Sequence, residues 1–212
     1  MPTRICLVRH GETAWNAERR LQGHIDIPLS DIGLAQARAT AESLATEGFA
    51  AAYVSDLQRA RQTADAIATR CTLQPTIDAR LRERHYGVFQ ALTYDQARAR
   101  HPVEYQRFES RDPEFVFPGG GESLAQFAAR IRLTLEEIAQ RHDGASVLIV
   151  THGGVLDVVN RMVTGKPLDT PRDFTIPNAA LNWIAWDGIA WSLITWAEQR
   201  HLTKALDELP NG

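Results

Sequence analysis

Two short stretches of the chain place the same residue types in the same order. "LVRHG" at 7–11 and "IVTHGG" at 149–154 each run from apolar residues through a polar one to histidine and glycine. A single histidine at a strand end is ordinarily a polar residue where the chain leaves its core. Two of them, with Arg9 beside the first and Arg59 early in another helix, describe an anion site. Arginine offers phosphate a planar fork of donors. The glycines after His10 and His152 let backbone N–H groups approach, and a helix starting at Gly154 would add its positive end. A neutral imidazole can attack phosphorus in line to give a phosphohistidine, while nearby cations stabilise charge on the equatorial oxygens. Such a nucleophile needs an acid to protonate the leaving alcohol. Glu83 in "LRERHYG" is a candidate, although spacing alone does not separate it from a solvated surface carboxylate.

These residues need a scaffold that brings them to one edge. Ile5–Val8 is apolar throughout, as a strand buried on both faces would be. After a polar loop, Ser30 caps a helix expected over 31–47, with Leu34, Ala37, Ala41 and Leu44 at helical spacing and Gly48 ending it. Ala52–Val54 is a second short strand, and "DLQRARQTADAIATR" at 56–70 its helix. A long helix carries Leu124, Phe127, Ile131, Leu135 and Ile138, and "SVLIV" with "GGVLDVVNRMVTG" forms another strand and helix. Two β-rich runs around Asp187-Gly188 read as a closing hairpin. The alternation predicts an α/β fold, a three-layer sandwich with a central, mostly parallel sheet and helices on both faces. Ligands bind such sheets outside the carboxyl ends of the strands, where His10, Arg59 and His152 would meet.

Residues 87–121 fit this pattern least. "YDQARARHPVEYQRF" reads as a helix and "ESRDPEFVFPGGGES" as a loop, together a lid-like insert over the site. Otherwise residues 1–212 read as a single domain, with 205–212 a loose tail.

Composition narrows the partners. The chain has 212 residues, 44% of them hydrophobic, and a net charge of −3, so it lacks the basic excess of a nucleic-acid binder. Two isolated cysteines favour a reducing compartment. No secretory leader or membrane span is expected, which predicts a cytoplasmic protein without membrane contact. His24, His85, His101, His142 and His201 lack zinc-ligand spacing, so no metal is expected, and "PGGGES" lacks the GK[ST] of a nucleotide P-loop. Trp183, Trp186, Trp191 and Trp196 suit hairpin or core packing better than a nucleobase platform.

The ordered set "LVRHGETAWNAERRLQGHIDIPLSDIGLAQA", "YVSDLQRARQTA", "LRERHYG", "GGGES" and "VLIVTHGG" resembles the histidine phosphatase superfamily, in the branch of cofactor-dependent phosphoglycerate mutases and related broad phosphatases. The resemblance spans about residues 4–165. It implies that His10 is the phosphoacceptor in a pocket formed with Arg9, Arg59 and His152. It also implies phosphoryl contacts from Asn16 and the backbone at Gly23 and Gly153, with Gln22 as a side-chain contact in phosphatases, and Glu83 as proton donor.

"ERHYG" looks mutase-like, with Arg84 and Tyr86 as contacts to a substrate carboxylate or phosphate. The insert, however, contains no lysine, Arg107 and Arg111 are not adjacent, and "FPGGGES" resembles the phosphatases. Ala91 stands where many members have a glycine, and the chain is shorter than the usual mutase. The resulting expectation is a metal-independent, acid-type phosphatase of small phosphorylated metabolites that needs no cofactor. The alternative is a phosphoglycerate mutase, which would need a 2,3-bisphosphoglycerate primer. A catalytically quiet phospho-ligand binding module is the third reading. Substrate choice is assigned to the insert around Tyr86, Arg107, Phe115 and Phe117, and a homodimer is compatible with the sequence.

Overall fold

The computed structural model describes residues 1–202, so the expected tail at 205–212 lies outside the described residues. Among them, six strands form one sheet in the order β3-β2-β4-β1-β5-β6. These are β1 (Thr3–Arg9), β2 (Ala51–Val54), β3 (Thr76–Ile77), β4 (Ser146–Thr151), β5 (Leu181–Trp186) and β6 (Trp191–Glu198). β1, β2, β3 and β4 run parallel, and β5 and β6 continue the sheet antiparallel.

The apolar run of β1 divides its side chains between two cores. Ile5 and Leu7 pack on one face with Val147 and Ile149 of β4, under α6 (Leu124–Arg141) and α7 (Gly153–Thr164). Cys6 and Val8 pack on the other face with Leu148 and Val150, under α2 (Asp31–Leu44) and α3 (Gln58–Cys71). Strands covered on both sides cannot alternate apolar and polar residues, which is why their sequence is continuously hydrophobic.

Local differences from the expected elements have local causes. A one-turn helix, α1 (Ala14–Ala17), begins in the first loop, closed by a capping box between Thr13 and Asn16. α2 stops at Leu44, before a tight turn in which Glu47 N donates to Leu44 O at 3.1 Å. α3 starts at Gln58, two residues later than expected; Ser55 and Asp56 bond to His152 and Arg82, and Gln58 N donates to Asp26 Oδ1 at 2.6 Å. The turn after β5 spans residues 187–190, with Asp187 Oδ1 accepting from Ile189 N and Ala190 N at 2.8 and 2.7 Å.

The single helix expected in the insert is two, α4 (Tyr94–Arg100) and α5 (Pro102–Glu109). Pro102 lacks an N–H and forces His101 out of helical geometry, to φ −137° and ψ 60°. The insert also has its own aromatic core, in which Phe89, Tyr105, Phe108, Phe115 and Phe117 are buried together. The tryptophans pack as expected: Trp183 is buried, Trp186 lies against Trp191 at 5.0 Å, and Trp196 lies against Phe174.

Candidate active site

The parallel strands deliver their ends to one place. β1 ends at Arg9, and His10 N still donates to Thr151 O at 2.9 Å, as if the β1–β4 ladder ran one residue further. The His10 carbonyl accepts from Asn178 Nδ2 at 2.8 Å, and Gly11 N donates to Thr63 Oγ1 at 3.0 Å. Thr63 lies one turn after Arg59 on α3, so a single helix both fixes the histidine loop and supplies a guanidinium. An added Cβ at Gly11 would collide with the Gly33 backbone, which packs the loop directly on the start of α2.

His10 Nδ1 lies 2.7 Å from the Gly11 carbonyl oxygen. A carbonyl can only accept, so Nδ1 carries the proton and Nε2 keeps its lone pair. Burial, with Arg59 and Arg9 nearby, holds the His10 pKa well below its ordinary value, so the ring is neutral. His10 lines a small open chamber together with Arg9, Asn16, Gln22, Gly23, Arg59, Glu83, Tyr86 and Gly153.

Arg9 and Arg59 of the chamber are each 1% exposed. Arg9 Nη1 donates to Ile176 O at 2.7 Å. Arg59 spends Nη1 and Nη2 on the carbonyls of Ile25 and Gly23, at 2.9 and 2.8 Å. Among the described residues no carboxylate forms an ion pair with Arg59, and burial lowers its pKa to about 10. It remains charged at neutral pH, hydrogen-bonded to carbonyls and favoured at longer range by Glu83 and Asp26, which leaves it suited to an anion from outside. His152 stands across from His10, the ring centroids 5.2 Å apart.

Glu83 is 6% exposed, far from the solvated carboxylate that spacing alone suggests. Its Oε2 accepts from Gly154 N at 2.9 Å and its Oε1 from Arg84 N at 2.8 Å. The helix of "GGVLDVVNRMVTG" starts at Gly153, and its second N–H, that of Gly154, meets Glu83. Burial raises the Glu83 pKa, opposed by those two N–H groups and by Arg59. Arg130 on α6 pins the segment by donating to Arg80 O at 2.6 Å and Arg82 O at 3.2 Å, while His24 Nε2 lies 2.8 Å from Glu83 O.

Asn16 and Gln22 reach the chamber with part of their amides committed. Asn16 Oδ1 closes the α1 capping box, accepting from Thr13 N at 3.0 Å. Gln22 Nε2 donates to Thr13 Oγ1 at 2.8 Å. Tyr86 lines this chamber and also an adjoining small one, which Arg84 lines with Tyr94, Asp157 and Arg172. Arg84 is therefore beside the main chamber rather than in it. Of the insert positions assigned to substrate choice, Phe115 and Phe117 are core residues, and Arg107 pairs with Asp112 at 2.6 Å on the surface.

Further residues, given no site role by the sequence, complete the chamber. Arg20, Leu21 and Tyr94 line the main chamber, and Ser55, Thr63 and Asn178 hold its histidines. Only Thr63 carried a local signal, its helical spacing from Arg59. Among the described residues no group of three or more metal-ligating side chains gathers, and no helix is long and apolar enough to cross a membrane.

The model of the histidine phosphatase superfamily (branch 1) matches residues 5–199. A metal-independent phosphoserine phosphatase of Arabidopsis thaliana is 40% identical over 208 residues, covering 95% of this chain and 84% of the relative. Phosphoglycerate mutase-like protein 4 of the same plant is 39% identical over 201 residues, covering 93% and 86%. The solved structure of Bacillus stearothermophilus YhfR superposes with a TM-score of 0.85 at 32% identity, covering 95% of this chain and all of that one.

Proposed function

The chain belongs to the histidine phosphatase superfamily, and we propose that it hydrolyses small phosphomonoesters through a phosphohistidine on His10. The observation that carries this is the His10 tautomer, a neutral ring whose Nδ1–H is held by Gly11 and whose Nε2 lone pair is left for phosphorus. Nε2 forms the N–P bond as the ester P–O bond breaks, and Glu83 gives its proton to the departing oxygen. A water oxygen then attacks phosphorus, Glu83 takes the water proton, and the N–P electron pair returns to Nε2. Arg9, Arg59 and His152, with N–H groups at Gly23 and Gly153 and the amides of Asn16 and Gln22, bind the phosphoryl oxygens throughout.

Water rather than a second substrate is favoured as acceptor because the insert supplies no cation to the main chamber. Arg107 is paired at the surface, and Arg111 is locked in a buried pair with Asp157 at 2.5 Å. The adjoining chamber takes the leaving group. Arg84 is buried there with its hydrogen bonds going to the carbonyls of Glu122 and Phe115, both at 3.2 Å, and it suits a leaving group bearing a carboxylate. The relative named as a phosphoserine phosphatase fits that class.

His10→Ala tests the reaction. It is expected to abolish phosphate release from phosphoserine and related monoesters while circular dichroism stays unchanged, and full turnover would refute the assignment. Supplying 3-phosphoglycerate with and without 2,3-bisphosphoglycerate separates the mutase reading. Rapid isomerisation with little free phosphate would favour a mutase.

A further inference from the structure

His152 is fully buried, and its ring uses only one nitrogen. Nε2 lies 2.8 Å from Ser55 Oγ, while Nδ1 has no partner. Ser55 is fully buried as well, directly after β2. Its Oγ accepts from Leu57 N at 3.4 Å, and among the described residues His152 Nε2 is the only acceptor its proton has. If Nε2 were the protonated nitrogen, the serine proton would be stranded in a buried site and His152 would turn a bare lone pair toward the phosphoryl oxygens. If the serine donates to Nε2, each of these groups is satisfied and the one ring N–H falls on Nδ1.

We propose that Ser55 is a positioning residue that fixes His152 as the Nδ1–H tautomer, so that a neutral imidazole donates a hydrogen bond to the phosphoryl group. The role rests on the phosphoryl-transfer reading above and adds to it a residue that never touches the substrate. Burial, followed by Arg59 and His10, keeps the His152 pKa well below its ordinary value, so the ring does not gain a second N–H by protonation in the empty site. A neutral histidine serves an anion only through its single N–H, and the partner of the other nitrogen decides where that N–H lies. Ser55 is the partner here. It also couples β2 to β4, since Ser55 N donates to Val150 O at 3.2 Å while its side chain holds the residue following β4.

The test uses the full chain labelled with 15N-histidine and long-range proton–nitrogen correlation, with the His152 signals identified by their loss in His152→Gln. At neutral pH the unmutated chain is expected to show Nδ1 protonated and Nε2 bare. Ser55→Ala is expected to lose that preference, to lower kcat/KM by roughly 10–100-fold, the range seen when the partner orienting a metal-bound histidine is removed, and to weaken competitive inhibition by inorganic phosphate. Ser55→Thr, which keeps the hydroxyl, should restore all three. An Nε2-protonated His152 in the unmutated chain overturns the assignment, and that spectrum decides even if neither variant folds. Unchanged tautomer and unchanged phosphate inhibition in folded Ser55→Ala overturn it as well. The tautomer is read without turnover, so its failure leaves the His10 reaction standing, whereas an active His10→Ala would sink the reaction itself.

Discussion

Gly154 is the point at which the proposed acid can be moved without altering it. Its N–H holds Glu83 Oε2, and a Cβ added there would overlap Glu83 Oε1 while standing 3.0 Å from Cδ and 3.3 Å from Phe127 Cε1. Phe127 is 1% exposed and packed in the core, so the carboxylate must give way, by about 1 Å to reach ordinary van der Waals separation. A misplacement of ~1 Å in a reacting group costs roughly 100-fold. Gly154→Ala should therefore lower kcat/KM for an alkyl phosphomonoester by that factor. The fold should survive, because alanine in the first turn of α7 is the better helix former by roughly 1 kcal/mol. The loss should also depend on the leaving group. p-Nitrophenolate departs without needing a proton, and kcat/KM covers only the steps through formation of the phosphohistidine, so p-nitrophenyl phosphate should be far less affected. The assay measures kcat/KM for both substrates in both proteins, with melting temperatures alongside. Equal losses on the two substrates, or no loss on the alkyl ester in a folded variant, would refute the placement of Glu83 as leaving-group acid.

Three further outcomes follow from the same geometry. The kcat/KM profile should be bell-shaped, its acid limb set by His10, which must be neutral and whose pKa is depressed, and its alkaline limb by Glu83, which must be protonated and whose pKa is raised. Steady-state rates from pH 4 to 9 read both limbs, and Glu83→Gln should remove the alkaline one. Stability should fall as pH drops below the ordinary histidine value of 6.5, because the unfolded chain then takes up protons that buried His10 and His152 refuse. Thermal melts across that range should show a shallower fall in His10→Ala. Finally, Asp157 is 4% exposed between Arg111 and Arg161, so Asp157→Ala removes the carboxylate these two buried guanidiniums share and should cost about 3–5 kcal/mol in denaturant unfolding.

The sheet was readable because burial on both faces imposes a pattern that survives in one dimension. Ile5–Val8 and Val147–Val150 are continuously apolar since consecutive side chains enter different cores. The two residues of β3 leave no such trace, being exposed and too short to show a period. The insert hid its organisation for another reason. The run "YDQARARHPVEYQRF" reads as one helix, whereas Pro102 breaks it and the two pieces close around Phe89 and Phe117, which are brought in by loops. Aromatic residues there therefore resembled candidates for substrate contact, although most of them serve to hold the insert together.

The site divides along a similar line. His10 and His152 stood out because a parallel sheet delivers equivalent strand ends to one edge, so two local motifs sufficed to place them together. Glu83 had no such marker. The role proposed for it depends on meeting Gly154, 71 residues away, and neither residue type is unusual where it stands. Asn178 and Ser55 are further cases, reaching His10 and His152 across 168 and 97 residues. A nucleophile and its cations must keep a residue type that advertises chemistry. The groups that set a tautomer or a pKa need only a hydroxyl, an amide or a missing Cβ in the right place, and serine, asparagine and glycine are common enough that only the folded chain singles them out. The part of this active site that holds its groups in the reactive state is thus also the part the sequence concealed.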